Sequence, residues 1–296
     1  MRIGFAGLGV MGAPMARHLI AAGHTVAGYN RSPDKARAWA EAHAGRFAAT
    51  AAEAAKDAEL LILCVGNDDD VRQVVTETLP HLAKGAVIVD HTTTSAIVAR
   101  EMADLAAERG VAFIDAPVSG GQAGAENGQL SVMAGGDADA LSRVEPVLRA
   151  YSKAVQHMGP AGAGQLTKMV NQICIAGVVQ GLAEAVHFAQ QAGLGTDAVY
   201  EAISKGAAQS WQMDNRWKTM AAGQFDFGFA VDWMRKDLGL VLDEARANGS
   251  HLVLTALVDQ FYSEVQSLGG NRWDTSSLAA RLQDRARPTS GTAGKG

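Results

Sequence analysis

The chain has 296 residues, a formal net charge of −5 and a hydrophobic share of 48%. This length allows two domains with buried cores, and the acidic charge gives no basic surface for nucleic acid or an anionic membrane. The two cysteines, Cys64 and Cys174, lie far apart in apolar settings and indicate neither a disulfide framework nor a zinc site. We therefore expect a cytoplasmic protein whose partners are small molecules, not nucleic acids or membranes.

Short apolar strands alternate with amphipathic helices through the first half. The pattern predicts strands at 2–6, 25–29, 60–64, 86–90, 111–114 and 130–134, and helices at 11–22, 33–43, 68–82 and 96–109. Such alternation, with nearly continuous apolar strands, is typical of a parallel sheet covered by helices on both faces. The sequence therefore predicts an N-terminal α/β domain over residues 1–161.

Helical patterns alone follow after about residue 159. A long helix is predicted from 162 to 193, then helices at about 196–204, 210–220, 231–248, 252–267 and 275–283. Glycine and proline cluster at 160–164, which places a domain boundary there and makes the long helix an interdomain helix. Residues 162–285 are thus predicted to form an all-α domain for substrate binding and oligomerisation. The small, polar residues of 286–296 predict a disordered tail.

A glycine-rich segment links the first strand to the first helix. In it the first glycine permits a tight turn, the second lets a pyrophosphate approach the backbone, and the third lets the helix pack on the strand. The amides at the helix N-terminus then face the anion. This context predicts a dinucleotide-binding Rossmann domain. The predicted cofactor-binding residues of this segment are Gly7, Leu8, Gly9, Val10, Met11 and Gly12.

The end of the second strand bears on the choice of dinucleotide. A site for NAD is expected to carry an acid here that binds the ribose 2′-hydroxyl. This chain has Asn30, Arg31 and Ser32, which would not repel a 2′-phosphate and could bind it. NADP is therefore favoured, with NAD remaining possible. Alternatively, Ser32 caps the next helix, which would begin at Pro33.

Two further strand ends point to the same crevice, because ligands of such sheets lie outside the carboxyl ends of the strands. Cys64 and Val65 end one strand, and the segment Asp90–Ser95, which contains His91 and Thr93, follows the next. The threonines could instead cap the following helix. His91 by itself does not indicate catalysis. No motif for a metal is present, so none is expected.

Two further sets of polar groups are candidates for binding or catalysis. Lys168, Asn171 and Gln172 share one face of the long helix because they stand at i, i+3 and i+4. A single lysine on a helix is ordinarily a solvated charge. Ser119, Gly120 and Gly121 could bind a carboxylate through a hydroxyl and successive amides, or form only a turn.

Four motifs resemble one family, the β-hydroxyacid dehydrogenases, which includes 3-hydroxyisobutyrate dehydrogenase and 2-hydroxy-3-oxopropionate (tartronate semialdehyde) reductase. They are GLGVMG at 7–12, DAPVSGG at 115–121, GAGQLTKMVNQ at 162–172 and MRKDLGLVLDEA at 234–245. The motifs occur in the family's order, and the resemblance covers residues 1–283. It implies an NAD(P)-dependent oxidoreductase that interconverts a short 3-hydroxy acid and its semialdehyde, and a homodimer or homotetramer.

The resemblance also implies roles for single residues. Lys168 matches the catalytic lysine, Ser119, Gly120 and Gly121 match the residues that hold the substrate carboxylate, and Asn171 and Gln172 match those that orient the substrate. Lys236 is similar to a lysine that approaches the cofactor, and Thr93 to a hydroxyl residue near the nicotinamide ribose. Many members have Asn-Asn where this chain has Asn-Gln, a form more similar to the tartronate semialdehyde reductases.

Three alternatives to this activity stay open. The chain could be an imine reductase, a decarboxylating sugar-phosphate dehydrogenase or a non-catalytic nucleotide-binding scaffold. The presence of Lys168 counts against the imine reductase and the scaffold, and the short chain without an arginine cluster counts against the decarboxylating enzyme. Trp211, Phe229 and Trp233 lie near Lys236 in sequence, and aromatic residues at such spacing more often belong to a core than to a substrate pocket.

Overall fold

The computed structural model describes residues 1–285, so the predicted disordered tail at 286–296 lies outside the described residues. Contacts divide the chain into two compact units, Met1–Val170 and a second unit from Asn171 onward. The division falls within one long helix, several residues after the boundary that the glycines and proline of 160–164 predict.

Nine strands form one sheet within residues 1–285, all in the first unit. The strands are β1 (Arg2–Ala6), β2 (Thr25–Tyr29), β3 (Arg46–Phe47), β4 (Leu60–Leu63), β5 (Val87–Asp90), β6 (Ala112–Asp115), β7 (Val118–Ser119), β8 (Leu130–Gly135) and β9 (Ser152–Gly159). Their order is β3-β2-β1-β4-β5-β6-β8-β7, with β9 paired to β8.

Thirteen α-helices occur among the described residues. They are α1 (Gly12–Ala21), α2 (Pro33–His43), α3 (Ala51–Ala55), α4 (Asp68–Thr78), α5 (Ala96–Ala107), α6 (Gly121–Glu126), α7 (Ala138–Leu148), α8 (Ala163–Gln191), α9 (Thr196–Ile203), α10 (Trp211–Ala222), α11 (Val231–Asn248), α12 (Val253–Ser267) and α13 (Leu278–Arg285). Short 3₁₀ turns follow α4 at Leu79–His81 and precede α13 at Thr275–Ser277.

The predicted class, an α/β Rossmann domain followed by helices, is confirmed. Strands β1 to β6 are parallel, and the apolar runs of central strands such as β4 and β5 are buried on both faces. In β4, for example, Leu60 and Ile62 pack with one helical layer, whereas Leu61 and Leu63 pack with the other. An entirely parallel sheet is wrong, since β8 runs antiparallel to both β6 and β7.

Several elements were not predicted from the sequence. Three of them are strands, β3, β7 and β9, and three are helices, α3, α6 and α7. Strand β9 is mostly exposed, so it lacks the apolar run that marks the central strands. Helix α7 carries Pro146 in its last turn, and proline ordinarily argues against a helix interior. The predicted helix at 68–82 is shorter, because α4 gives way to a 3₁₀ turn that contains Pro80.

The second unit is helical and has its own core around Trp217 and Tyr262. A fully buried carboxylate, Asp274, connects three of its segments. It accepts hydrogen bonds from Arg216 Nε at 2.9 Å, from the amide of Phe229 at 3.0 Å and from the amide of Ser276 at 3.0 Å. These contacts fix the chain that enters α11, the helix that carries Lys236.

Helix α8 is long and apolar enough to cross a membrane by length and composition alone. Core helices of water-soluble proteins meet the same criterion, and 44% of its most apolar window is buried in this structure. Its buried Gln180 donates a hydrogen bond to Glu184 at 2.6 Å, a polar pair that would be costly in hydrocarbon.

Candidate active site

The glycine-rich turn between β1 and α1 has the geometry of a phosphate cradle. Gly7 has φ +105°, and a Cβ there would lie 2.1 Å from the carbonyl oxygen of Cys64. A Cβ on Gly12 would lie 1.9 Å from the carbonyl oxygen of Gly7, so the helix packs directly on the turn. A Cβ on Gly9 would meet no atom within 4 Å, so this residue borders open space. Each glycine thus suits the role that the dinucleotide motif gives it.

Asn30 supports this turn from the end of β2. Its Oδ1 accepts a hydrogen bond from the amide of Leu8 at 3.0 Å, and its Nδ2 donates to the carbonyl of Ser32 at 3.3 Å. Ser32 stands at the N-cap position of α2, but its side chain makes no capping hydrogen bond. The predicted start of α2, with Ser32 at the N-cap and Pro33 as the first helical residue, is therefore confirmed, but the Ser32 hydroxyl does not act as the cap. Arg31 is largely exposed and contacts Asp70.

The ends of β4 and β5 are tied together beside the turn. The amide of Val65, one residue after the half-buried Cys64, donates to Thr92 Oγ1 at 3.0 Å. Thr92 in turn donates its own amide to Asp90 Oδ1 at 2.9 Å. Ser95, not a threonine, caps α5 through its Oγ. The capping alternative for the threonines is thus wrong, and these groups instead shape the carboxyl edge of the sheet.

His91 is buried in a hydrogen-bond chain behind this edge. Its Nδ1 lies 2.6 Å from the carbonyl oxygen of Ala116, and its Nε2 lies 2.8 Å from the hydroxyl of Tyr151. Burial lowers the pKa of His91 to about 4, although the bond to Ala116 opposes the shift. The neutral ring therefore donates to the carbonyl and accepts from the tyrosine. This arrangement positions the segment leading to Ser119 and leaves His91 no exposed nitrogen for catalysis.

The first turn of α8 is clamped to the same edge by two buried side chains, Asp115 and Gln165, whose contacts the sequence does not reveal. Asp115 accepts from the amides of Gly162 at 2.7 Å and Gln165 at 2.9 Å. The Gln165 side chain donates to the carbonyl of Thr92 at 2.7 Å and accepts from the amide of Thr94 at 3.0 Å. Burial raises the pKa of Asp115 to about 6, against the amide hydrogen bonds that lower it.

Lys168 follows Gln165 by one turn and so lies on the same face of α8. It is only 8% exposed, so the expectation of an ordinary solvated lysine is wrong. The structure therefore brings the lysine to the carboxyl edge of the sheet, where the glycine turn and Thr93 also lie.

The serine and glycines proposed for carboxylate binding follow β6. Ser119 is half-buried and ends β7, paired with Ser131 of β8. Gly120 and Gly121 are exposed and have φ of +130° and +60°, conformations that residues with a Cβ rarely adopt. A Cβ on Gly121 would meet no atom within 4 Å. Open space therefore lies beside Gly121, whereas a Cβ on Gly120 would lie 3.2 Å from the Leu130 side chain.

The second unit contains a separate polar chain. Asn171 Nδ2 donates to Gln172 Oε1 at 2.8 Å, and the buried Gln172 donates from Nε2 to Asp237 Oδ2 at 2.6 Å. Lys236 Nζ lies 3.3 Å from Asp237 Oδ1. Asp237 therefore joins the helix α8 residues to the lysine of α11. Gln172 is held by this contact, which the helix-face pattern alone does not reveal.

The three aromatic residues near Lys236 in sequence do not belong to the core of the second unit. Trp211 is 56% exposed, Trp233 is 42% exposed and Phe229 is 37% exposed. The interpretation of these side chains as core is wrong. Among residues 1–285, no cluster of three or more His, Cys, Asp or Glu side chains is placed to bind a metal ion.

Two protein families match consecutive parts of the chain. Residues 2–159 match the NAD-binding domain of 6-phosphogluconate dehydrogenase. Residues 162–282 match the family described as the NAD-binding domain of NADP-dependent 3-hydroxyisobutyrate dehydrogenase.

Individual relatives agree with these matches. An uncharacterized oxidoreductase of Shewanella frigidimarina is 62% identical, covering 95% of this chain and 98% of the relative. The 2-(hydroxymethyl)glutarate dehydrogenase of Eubacterium barkeri is 33% identical, covering 94% of this chain and 93% of the relative. The structure of Mycobacterium tuberculosis 3-hydroxyisobutyrate dehydrogenase with L-serine is 33% identical, has a TM-score of 0.87 and covers 95% of this chain and 98% of that one. The chain therefore belongs to the β-hydroxyacid dehydrogenase family and is an NAD(P)-binding oxidoreductase.

Proposed function

We propose that this protein is an NADP-preferring dehydrogenase that interconverts a short 3-hydroxy acid and its semialdehyde, with Lys168 as general acid and base. The buried position of Lys168 carries this proposal. Its helix is clamped through Gln165 to Thr92 and Thr94 after β5, and Thr92 is hydrogen-bonded to Val65 just after β4, the strand next to β1. A hydride-transfer enzyme needs one group to manage a proton, and a buried lysine at the sheet edge that carries the glycine turn can fill that role.

The residues present fit a dinucleotide. Gly9 borders open space, and no side chain caps the N-terminus of α1, so its first amides can meet a pyrophosphate. No acidic residue follows β2 directly, and the exposed Arg31 can form charge-assisted hydrogen bonds with a 2′-phosphate. The cofactor supplies the hydride that the carbonyl carbon receives in reduction.

The proton is assigned to Lys168. In reduction the Lys168 ammonium gives a proton to the carbonyl oxygen as that oxygen gains negative charge, and the product is the hydroxy acid. In oxidation the neutral amine of Lys168 takes the hydroxyl proton while the hydride leaves the same carbon. Lys236, held beside Asp237, is assigned to cofactor binding, together with Cys64, Val65 and Thr93.

Ser119, Gly120 and Gly121 are assigned to the substrate carboxylate. The serine hydroxyl and the backbone amides supply donors, and the open space beside Gly121 leaves room for the anion. Asn171 is assigned to orienting the substrate, and Gln172 contributes through its contacts with Asn171 and Asp237. The proposed substrate is a short acid in which a single carbon separates the aldehyde carbon from the carboxylate carbon.

The proposal is tested by following the nicotinamide absorbance with NADPH or NADH and a panel of carbonyl compounds. The panel contains short carboxylated semialdehydes, their methyl esters, glyoxylate and cyclic imines. We expect NADPH-dependent reduction of the carboxylated semialdehydes, and at least tenfold lower kcat/KM for the esters, which lack the charge. Preferential turnover of the imines would support an imine reductase. Tight NADPH binding without any turnover would support a scaffold.

A further inference from the structure

The Arg31–Asp70 contact spans the nucleotide crevice. Arg31 follows β2 and Asp70 lies in the first turn of α4, which follows β4. Strand β1 lies between β2 and β4 in the sheet. A contact between the residues that follow the two outer strands therefore crosses the carboxyl end of β1, where the glycine turn begins.

The two partners of this contact are held very differently. Asp70 Oδ2 accepts a hydrogen bond from the amide of Gly66 at 3.1 Å, and the amide of Asp70 donates to Asn67 Oδ1 at 2.9 Å. A Cβ on Gly66 would lie 2.6 Å from Asp70 Oδ2, so the carboxylate packs closely on the backbone. The Arg31 side chain is 85% exposed and makes one contact with Asp70, at 3.3 Å.

We infer that Asp70 is a selectivity-determining residue that weakens binding of the 2′-phosphorylated cofactor by competing for Arg31. This inference rests on the proposed binding of a 2′-phosphate by Arg31. The phosphate carries a charge of about −1.5 to −2. A fixed carboxylate on the same guanidinium competes for its donors and repels that charge.

The same geometry indicates that the Asp70 carboxylate weakens, and does not strengthen, binding of the 2′-phosphorylated cofactor. Asp70 could instead help by orienting Arg31 in advance. An ion pair with so exposed an arginine contributes little order, because side-chain entropy and solvent offset the attraction. Repulsion between the carboxylate and a doubly charged phosphate therefore outweighs any benefit from orienting Arg31. A cofactor without the phosphate leaves the Arg31–Asp70 contact intact and is unaffected.

The test compares Asp70→Asn with Asp69→Asn, measuring the Kd of NADPH and of NADH by cofactor fluorescence without substrate. The asparagine at 70 keeps an oxygen for the amide of Gly66. Asp69 is the matched control, because it stands in the same helical turn but contacts Arg72. We expect Asp70→Asn to tighten NADPH binding about fivefold and to leave the Kd of NADH within about twofold. Asp69→Asn should change the ratio of the Kd of NADPH to the Kd of NADH by less than about twofold, since exposed charges are screened.

Weaker NADPH binding by Asp70→Asn, an equal change for both cofactors, or an equal shift by Asp69→Asn would overturn the inference. Thermal unfolding of both variants identifies a loss of fold. If Asp70→Asn unfolds, Asp70→Ser gives the same comparison with a smaller neutral acceptor. Because the experiment measures cofactor binding, it tests the role of Asp70 even if the protein reduces no semialdehyde. A wild type that binds NADPH but reduces no semialdehyde would contradict the proposed function alone. No NADPH binding by any form would overturn both.

Discussion

Replacing Lys168 with alanine is expected to lower kcat for semialdehyde reduction by about 10²–10⁴-fold, the usual contribution of general acid–base catalysis. The lysine is buried on the face of α8 that Gln165 clamps to the sheet. Its removal leaves no other amine on that turn. The cofactor groups assigned to the glycine turn are untouched, so the Kd of NADPH should stay within about twofold.

Two further variants show whether proton transfer by Lys168, and not only its positive charge, is needed for catalysis. Lys168→Arg keeps a positive charge but cannot release a proton near neutral pH, so its kcat should also fall strongly. Lys153→Ala removes an exposed lysine of β9 and serves as the matched control, with kcat expected within about twofold of wild type. Steady-state rates combined with cofactor fluorescence make both comparisons. A Lys168→Ala enzyme with wild-type kcat would contradict the assignment.

Replacing Asp115 with asparagine is expected to lower the free energy of unfolding by about 2 kcal/mol or more at pH 7. Both carboxylate oxygens accept amide hydrogen bonds from the start of α8. Asparagine places an NH₂ group against one of these donors and leaves that amide unpaired. Because the same turn positions Lys168, kcat should fall as well. Urea unfolding measures the stability, and the semialdehyde assay measures kcat.

The matched control for Asp115 is Asp137→Asn, at an exposed cap of α7. Asp137 accepts from the amide of Ala140 at 2.8 Å, and asparagine is an equally good cap, so the loss should stay below about 0.5 kcal/mol. Equal losses for the two variants would contradict a special role for Asp115.

The cost of Asp115→Asn should also depend on pH. Burial raises the pKa of Asp115 to about 6 in the folded chain, above its ordinary value of 3.8. The folded protein therefore keeps a proton that the unfolded chain releases, and this contribution to stability is lost as pH rises from about 4 through 6. As pH rises over that range, the free energy of unfolding of the wild type should approach that of Asp115→Asn by up to about 3 kcal/mol. A difference that widens with pH would contradict the raised pKa.

Backbone conformation and helix faces near the candidate site follow local sequence rules, so the sequence predicts them. The positive φ of Gly7 and the close packing of Gly12 are properties of a short glycine-rich turn. The common face of Lys168 and its neighbours follows from helical periodicity. Strand β9 and helix α7 were missed because an exposed edge strand and a proline-containing helix break the patterns that mark central elements.

The clamps around the site could not be predicted in this way. Gln165 bonds to residues 71 and 73 positions away, and His91 bonds to Tyr151, 60 positions away. Each of these side chains is ordinary in sequence, and only its partner gives it a role. The same holds for Asp70, whose contact with Arg31 joins two different strand ends. Local patterns therefore identified the groups assigned to chemistry, but not the groups that hold them.

The pH dependence of kcat in both directions tests the role of Lys168 most directly. The same amine gives a proton in reduction and takes one in oxidation. We therefore expect kcat for semialdehyde reduction to fall, and kcat for hydroxy acid oxidation to rise, as pH increases. Both pH dependences, the fall of kcat in reduction and its rise in oxidation, should disappear in Lys168→Ala. pH dependences of the same sign in the two directions, or pH dependences that persist in Lys168→Ala, would show that another group moves the proton.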